Sequence, residues 1–90
     1  MPSYLVETYL SRSSEGEPAA SERRARSAAE ALTREHTSVR FERSIHLPED
    51  ETCFFVFHAD SSKDAALAAE RAELESIRVV EAISSGEESP

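Results

Sequence analysis

The middle of the chain carries a hairpin pattern that constrains the fold more than any other feature. Val39 to Leu47 alternates apolar and polar side chains, and the alternation is broken once, at Arg43. A four-residue turn, Pro-Glu-Asp-Glu at 48–51, separates it from the almost wholly apolar run from Thr52 to His58. A period of two predicts strands, and a proline beside acidic residues predicts a turn. We therefore expect two antiparallel strands here.

The hairpin is flanked on each side by one helix and one strand. Tyr4 to Leu10 predicts a strand, and Ala19 to about Glu35 predicts a helix with an apolar stripe of Ala and Leu. Ser61 caps a second helix that runs to about Leu74, and Ile77 to Ile83 predicts a last strand. The order βαββαβ is that of the ferredoxin-like fold, an α+β fold. In it, a four-stranded antiparallel sheet carries two helices on one face, with the first and third strands central.

Composition limits the classes of function. The 90 residues predict one domain over 1–83, a loop at 11–17, and a flexible acidic C-terminal tail at 84–90. A net charge of −8 disfavours nucleic acid and anionic membranes as partners. One cysteine excludes a disulfide framework within the chain. No run approaches the roughly 20 apolar residues of a membrane span, and no signal peptide is present, so we expect a cytoplasmic protein.

The hairpin pairing predicts which side chains share a face of the sheet. If Leu47 pairs with Thr52, then His46 lies opposite Cys53 and Ser44 opposite Phe55. The helix-covered face is then expected to hold Val39, Phe41, Ile45, Leu47, Phe54, Val56 and His58. The open face is expected to hold Glu7, Tyr9, Arg40, Glu42, Ser44, His46, Cys53, Phe55 and Phe57. A register slip of one residue would reverse the hairpin assignment.

Phe55 and Phe57 would thus lie on the open face of a central strand. Burying each phenylalanine is worth roughly 1.5–3 kcal/mol, and an exposed apolar patch on so small a domain promotes association. We therefore expect a homodimer in which Phe55 and Phe57 form the interface, sheet against sheet, as in dimeric α/β barrels. Leu32 and Leu67 are expected to pack between the helices and the sheet.

One candidate metal site follows from the same pairing. His46 beside Cys53, with Glu42 and Glu7 on the same predicted face, offers ligands for a divalent transition metal such as Ni²⁺ or Zn²⁺. Around them, Tyr9, Arg40 and His58 would line a possible pocket. The alternatives are that Cys53 is a small core residue, that His46 is a polar edge residue, and that Glu7 pairs with Arg40 or Arg78. His36 is expected to cap the first helix.

The chain resembles a known family in three segments. YLVETYL near the start, SIHLPEDETCFFVF in the hairpin and IRVVEAI near the end are similar to the small nickel-binding, nickel-responsive ferredoxin-like domains of actinobacteria. The resemblance extends from Tyr4 to Ile83, and its most specific parts are the start that ends in Glu7 and the segment from Asp50 to Phe54. It implies a dimeric ferredoxin-like fold, a bound nickel ion and no established catalytic reaction.

Three functions remain open from the sequence. The first is a metal-binding protein, with nickel as the expected ion. The second is a pocket enzyme, similar to the cofactor-independent monooxygenases or isomerases built on dimeric α/β barrels. The third is a structural or interaction module without a cofactor. No nucleophile elbow, phosphate-binding glycine loop or zinc-protease motif is present, which favours a protein that is not an enzyme.

Overall fold

The computed structural model describes residues 1–10 and 17–83. The elements are β1 (Ser3–Tyr9), α1 (Glu17–Arg34), β2 (Val39–Leu47), β3 (Thr52–Ala59), α2 (Ser62–Arg71) and β4 (Ser76–Ala82). A single 3₁₀ turn, Pro48–Asp50, connects β2 to β3. All strand pairs are antiparallel and the sheet order is β2-β3-β1-β4, so β1 and β3 are central. The ferredoxin-like βαββαβ fold is confirmed; the tail and most of the predicted loop lie outside the described residues.

Both helices end in a residue with left-handed backbone geometry that is not glycine. His36 follows α1 with φ 77°, and Glu73 follows α2 with φ 60°. The Thr37 N–H donates to the Leu32 carbonyl at 2.8 Å, and the Leu74 N–H donates to the Ala69 carbonyl at 3.0 Å. These bonds satisfy carbonyls that a helix end leaves without a partner. His36 therefore acts through its backbone at the helix C-terminus.

The core lies between the helices and one face of the sheet. The strands contribute Tyr4, Val6, Val39, Phe41, Cys53, Phe55, Phe57 and Ala59. The helices contribute mainly small side chains: Ala25, Ala28, Ala29 and Leu32 from α1, and Ala65, Ala68, Ala69 and Ala72 from the second helix and its end. Alanine at the contact lets the helix axes approach the sheet closely. With so few large side chains in the helices, Phe55 and Phe57 of β3 are the largest of the fully buried side chains.

The prediction that both helix leucines are buried is half right. Leu32 is buried, but Leu67 is 37% exposed. Ala65, Ala68 and Ala69 follow the i, i+3, i+4 spacing of the buried stripe of α2. Leu67 stands about 200° around the helix from Ala65 and faces outward. The alanine stripe, rather than the leucine, determines which face of α2 packs.

A β-bulge at Glu42 changes the faces of the hairpin. The pairs His46–Cys53 and Ser44–Phe55 occur as expected. Beyond them Arg43 pairs with Val56 and Phe41 pairs with Phe57, so Glu42 is the extra residue in β2. Because side chains alternate with a period of two, one inserted residue moves the two halves of β2 to opposite faces.

The predicted assignment of the two faces is therefore wrong for most of the hairpin. Phe55 and Phe57 are 2% and 0% exposed and pack under the helices, so they do not form an open-face dimer interface. Phe41 lies 6.2 Å from Phe55 and 5.4 Å from Phe57, ring centroid to ring centroid. In β2, Val39 and Phe41 lie on that covered face as predicted. Ile45 and Leu47 lie on the opposite side of the sheet.

Candidate functional site

The face of the sheet away from the helices carries its own apolar block. We call this the open sheet face. Cross-strand pairing places its side chains in rows that run across the strands: Arg40, His58, Ser3 and Ala82; then Arg43, Val56, Leu5 and Val80; then Ile45, Phe54, Glu7 and Arg78; then Leu47, Thr52 and Tyr9. Val56 is buried, while Leu5, Phe54 and Val80 are half-buried. The central rows of this face are thus apolar, and charged groups interrupt them at two points.

The first of these points is an ion pair between β1 and the edge strand β4. Arg78 Nε donates to Glu7 Oε1 at 2.7 Å. Glu7 lies on the open face, as its position in β1 predicts, and Arg78 is one of the two partners expected for it. The arginine is largely exposed and the carboxylate is half-buried. This pair explains how a carboxylate is tolerated beside Phe54 in the middle of the sheet.

The second point is a cluster of three polar side chains near the end of β3. His58 Nε2 lies 2.6 Å from Glu42 Oε1, and His58 Nδ1 lies 3.1 Å from Ser3 Oγ. A carboxylate only accepts hydrogen bonds, so we assign the ring proton to Nε2 and let Nδ1 accept from the Ser3 hydroxyl. Arg43 Nε adds a 3.7 Å contact to Glu42 Oε2. Both ring nitrogens are occupied, which holds the imidazole plane in one orientation.

The bulge creates this cluster. Glu42 is the inserted residue of β2, and its carboxylate reaches His58 on the neighbouring strand. Arg40 lies directly across from His58, so it borders the cluster as the predicted pocket residue. Tyr9, at the other end of the face, is exposed, and its hydroxyl donates to Glu51 Oε2 at 3.4 Å. Ser3 was not identified from the sequence, because a lone serine at a strand start gives no signal.

His46 and Cys53 lie on the opposite side of the sheet from Glu7 and Glu42. They are cross-strand neighbours as predicted, but in the row that continues to Thr8 and faces the helices. Cys53 is fully buried, and burial, with a smaller contribution from the Glu22 carboxylate, raises the pKa of its thiol to about 11. A thiol that stays protonated is a poor metal ligand.

The four predicted metal ligands therefore do not share one pocket. The sheet itself separates the two carboxylates from the imidazole and the thiol. Within residues 1–10 and 17–83, no group of three or more His, Cys, Asp or Glu side chains is close enough to hold a metal ion. A smaller polar contact on the helix side was missed from the sequence: the Ser44 hydroxyl donates to Glu22 of α1.

Known proteins resemble this chain in fold but not in sequence. No protein-family model matches it, and no curated protein is significantly similar to it. The chain is similar to the crystal structure of SCO4226 from Streptomyces coelicolor A3(2), with a TM-score of 0.66 at 17% identity. The alignment covers 92% of this chain and 98% of that one. None of the described helices has the length and apolarity to cross a membrane. At this identity the likeness establishes the ferredoxin-like fold.

Proposed function

We propose that the protein is a homodimeric metal-binding protein that holds a divalent transition metal at His58 and Glu42 on the open sheet face. The observation that carries the proposal is the oriented imidazole–carboxylate pair, 2.6 Å from nitrogen to oxygen. Nickel is the first candidate, because the resemblance of the sequence to nickel-binding ferredoxin-like domains implies that ion. Imidazole and carboxylate are both ligands of divalent transition metals.

The geometry of the pair fits two adjacent ligands of one ion. Metal–nitrogen and metal–oxygen distances of about 2.0–2.2 Å place two ligands at right angles about 3 Å apart. The Nε2 and Oε1 atoms need to separate by less than 1 Å from their 2.6 Å hydrogen bond to reach that spacing. Ser3 at Nδ1 orients the ring, as partners of metal-binding histidines do. Metal binding at Nε2 requires the tautomer whose ring proton lies on Nδ1 and is donated to Ser3 Oγ. Because the metal-binding nitrogen must be unprotonated, affinity should fall as pH is lowered.

The dimer part of the proposal rests on the apolar rows of the open face. Phe54, Leu5 and Val56 form its centre, while Ile45 and Leu47 are 36% and 40% exposed towards its β2 edge. Covering the apolar area that these side chains still expose contributes roughly 25 cal/mol per Å². A second copy placed sheet to sheet would cover them and bring a second His58–Glu42 pair to the same interface. Two side chains from one chain would then not be the whole coordination shell.

Calorimetric titration with NiCl₂ tests the metal site. The parent should bind saturably, His58→Ala should lose binding, and Glu42→Gln should weaken it by about tenfold or more. His46→Ala is the matched control, because it removes another exposed histidine from the neighbouring strand on the helix side. Loss of binding in His46→Ala with full binding in His58→Ala would move the metal to the helix side. A parent that binds no Ni²⁺ would end the metal proposal.

Two leucines of nearly equal exposure test the dimer. Leu47 on the open face is 40% exposed, and Leu67 on the outer surface of α2 is 37% exposed. Sedimentation velocity should give a dimer for the parent and for Leu67→Glu, and a monomer for Leu47→Glu. Both variants add one charge at an exposed leucine, so a difference between their sedimentation reflects which surface carries the charge. Equal behaviour of the two variants, or a monomeric parent, would refute the sheet-to-sheet arrangement.

A further inference from the structure

A groove between α1 and the start of β2 combines an apolar floor with a rim of arginines. Its volume is about 560 Å³. Ala29, Val39 and Phe41 form the floor, and all three are buried members of the core. Arg26 and Arg34 stand on the α1 side. The size is within the range of roughly 300–1,000 Å³ typical of small-molecule sites. The groove borders the surroundings of the proposed metal pair at Arg40, the cross-strand neighbour of His58.

The charge of the groove is opposite to that of the protein. The chain carries 18 acidic and 10 basic side chains, for a net charge of −8. The groove, in contrast, is lined by Arg26, Arg34 and Arg40 against a single carboxylate, Glu30. Three arginines and one glutamate give the lining side chains a net charge of +2. Such an inversion favours an anionic ligand in an otherwise acidic protein.

The arginines of the groove form no close ion pair among the described residues, although the charge of Arg34 contributes to lowering the pKa of Glu35. Arg43, Arg71 and Arg78 each lie within 4.0 Å of a glutamate oxygen. Among the described residues, Arg34 forms no ion pair and Arg26 contacts an aromatic ring instead. Guanidinium groups that share the single carboxylate of Glu30 and form no ion pair with it are available to bind an anion from solution.

The position of Arg26 suits recognition of a carboxylate. Its guanidinium carbon lies 5.1 Å from the centroid of the Phe41 ring. A contact with an aromatic ring engages the charge of the guanidinium without using its N–H donors in a hydrogen bond, so they can bind a bidentate acceptor. Thr33 Oγ1 donates to the Val39 carbonyl at 2.8 Å and accepts from the Val39 N–H at 3.2 Å. The Thr33 hydroxyl is therefore used within the protein, and the arginines are the charged donors that the groove offers a ligand, beside the neutral hydroxyl of Ser38.

We propose that this groove binds a small amphipathic organic carboxylate, with its apolar body on Ala29, Val39 and Phe41 and its carboxylate at Arg26 and Arg34. The apolar floor excludes a fully polar anion as the best ligand, and the arginine rim excludes a neutral apolar one. The proposal uses neither residue of the metal pair, His58 and Glu42, and its binding residues Arg26 and Arg34 lie on α1.

Calorimetry with three probes separates the two contributions. Sodium octanoate has both the chain and the charge, octanamide has the same chain without the charge, and acetate has the charge without the chain. Octanoate should bind saturably, octanamide should bind weaker by about tenfold or more, and acetate should not saturate. Octanamide binding as tightly as octanoate, or no saturable octanoate binding to the parent, would overturn the proposal.

Arginine variants place the binding in the groove. Arg26→Gln/Arg34→Gln should weaken octanoate by about tenfold or more. Arg34→Gln alone should also weaken it, and this variant leaves the ring contact of Arg26 intact. Arg23→Gln, an exposed arginine of the same helix outside the groove, is the control and should bind as the parent does. Unchanged affinity in both groove variants, or a change in their sedimentation that marks the groove as an interface between copies, would overturn the assignment.

Discussion

Adjacent phenylalanines on β3 should respond to truncation in different ways. Phe55 points under the helices and is 2% exposed, whereas Phe54 lies half-buried on the open sheet face. Phe55→Ala removes a ring that packs against Phe41 at 6.2 Å. We expect this change to destabilise the fold of each protomer. Phe54→Ala should instead weaken the contact between protomers.

The expected magnitudes are far apart. Truncating a buried phenylalanine costs about 3–5 kcal/mol, counting lost transfer energy and the cavity left behind. A chain of 90 residues has a total unfolding free energy of about 5–13 kcal/mol. Phe55→Ala therefore removes a large fraction of the stability. For Phe54→Ala, a half-buried ring with room to relax predicts about 1–2 kcal/mol within one protomer.

Urea denaturation at two protein concentrations distinguishes the two effects. The midpoint of a dimer rises with protein concentration, and a tenfold increase adds about 1.4 kcal/mol per dimer. Phe55→Ala should lower the midpoint and keep this dependence. Phe54→Ala should lower it less and abolish the dependence. The comparison can be repeated at protein concentrations so low that the midpoint no longer depends on concentration. If Phe54→Ala then lowers the free energy of unfolding more than Phe55→Ala does, Phe54 rather than Phe55 lies under the helices, and our reasoning about the bulge fails.

Further experiments test three local features: the end of α2, the Cys53 thiol and the Glu35–Arg71 ion pair. Glu73→Gly should stabilise the protein by about 0.5–1 kcal/mol in thermal melts, because glycine relieves the left-handed backbone at the end of α2; Glu70→Gly, within the helix, should destabilise it by about 1 kcal/mol. Ellman's reagent at pH 8 should modify Cys53 no faster than the protein unfolds. Because burial raises the thiol pKa to about 11, the protein should lose stability as pH rises from about 9 to 11, and Cys53→Ala should not. The hydrogen bonds from Arg71 lower the pKa of Glu35, so their stabilisation is lost as pH falls through that lowered pKa, and Glu35→Gln should flatten the acid side of a pH–stability curve.

The order and limits of the elements were predictable from local pattern. β2 has the predicted bounds, Val39 to Leu47, because alternation and the following proline mark both ends. The remaining elements that were predicted agree to within about three residues at each end. Local sequence carries this information, since propensity, capping and turn chemistry act over a few residues. The sheet order then follows from the connection rules of the βαββαβ pattern.

The faces of the hairpin could be predicted less reliably, because the face of each side chain depends on the number of residues that separate it from the turn. The prediction extended the pairing from the turn at Leu47 to the far end of β2 and assumed that every residue of β2 pairs with one residue of β3. A single inserted residue, Glu42, leaves the predicted pairing correct near the turn but puts Ile45 and Leu47 on the face opposite to Val39 and Phe41. The face predicted for the half of β2 nearest the turn was therefore wrong. The sequence did contain a signal. Arg43 interrupts the apolar alternation of β2, and an interrupted alternation is what a bulge produces.

The same inserted residue decides which candidate site exists. With regular pairing, Glu42 would lie opposite Phe57, and the imidazole nearest to it would be that of His46. With the bulge, Phe41 takes the place opposite Phe57, and the Glu42 carboxylate reaches His58 instead. Both pairings use a histidine and a carboxylate, so the residue types alone do not distinguish them. Deleting Glu42 should restore regular pairing along β2. Regular pairing would bury Ile45 and Leu47 or expose Phe41. A marked loss of stability in that variant would show that the bulge allows β2 to place apolar side chains on both faces of the sheet.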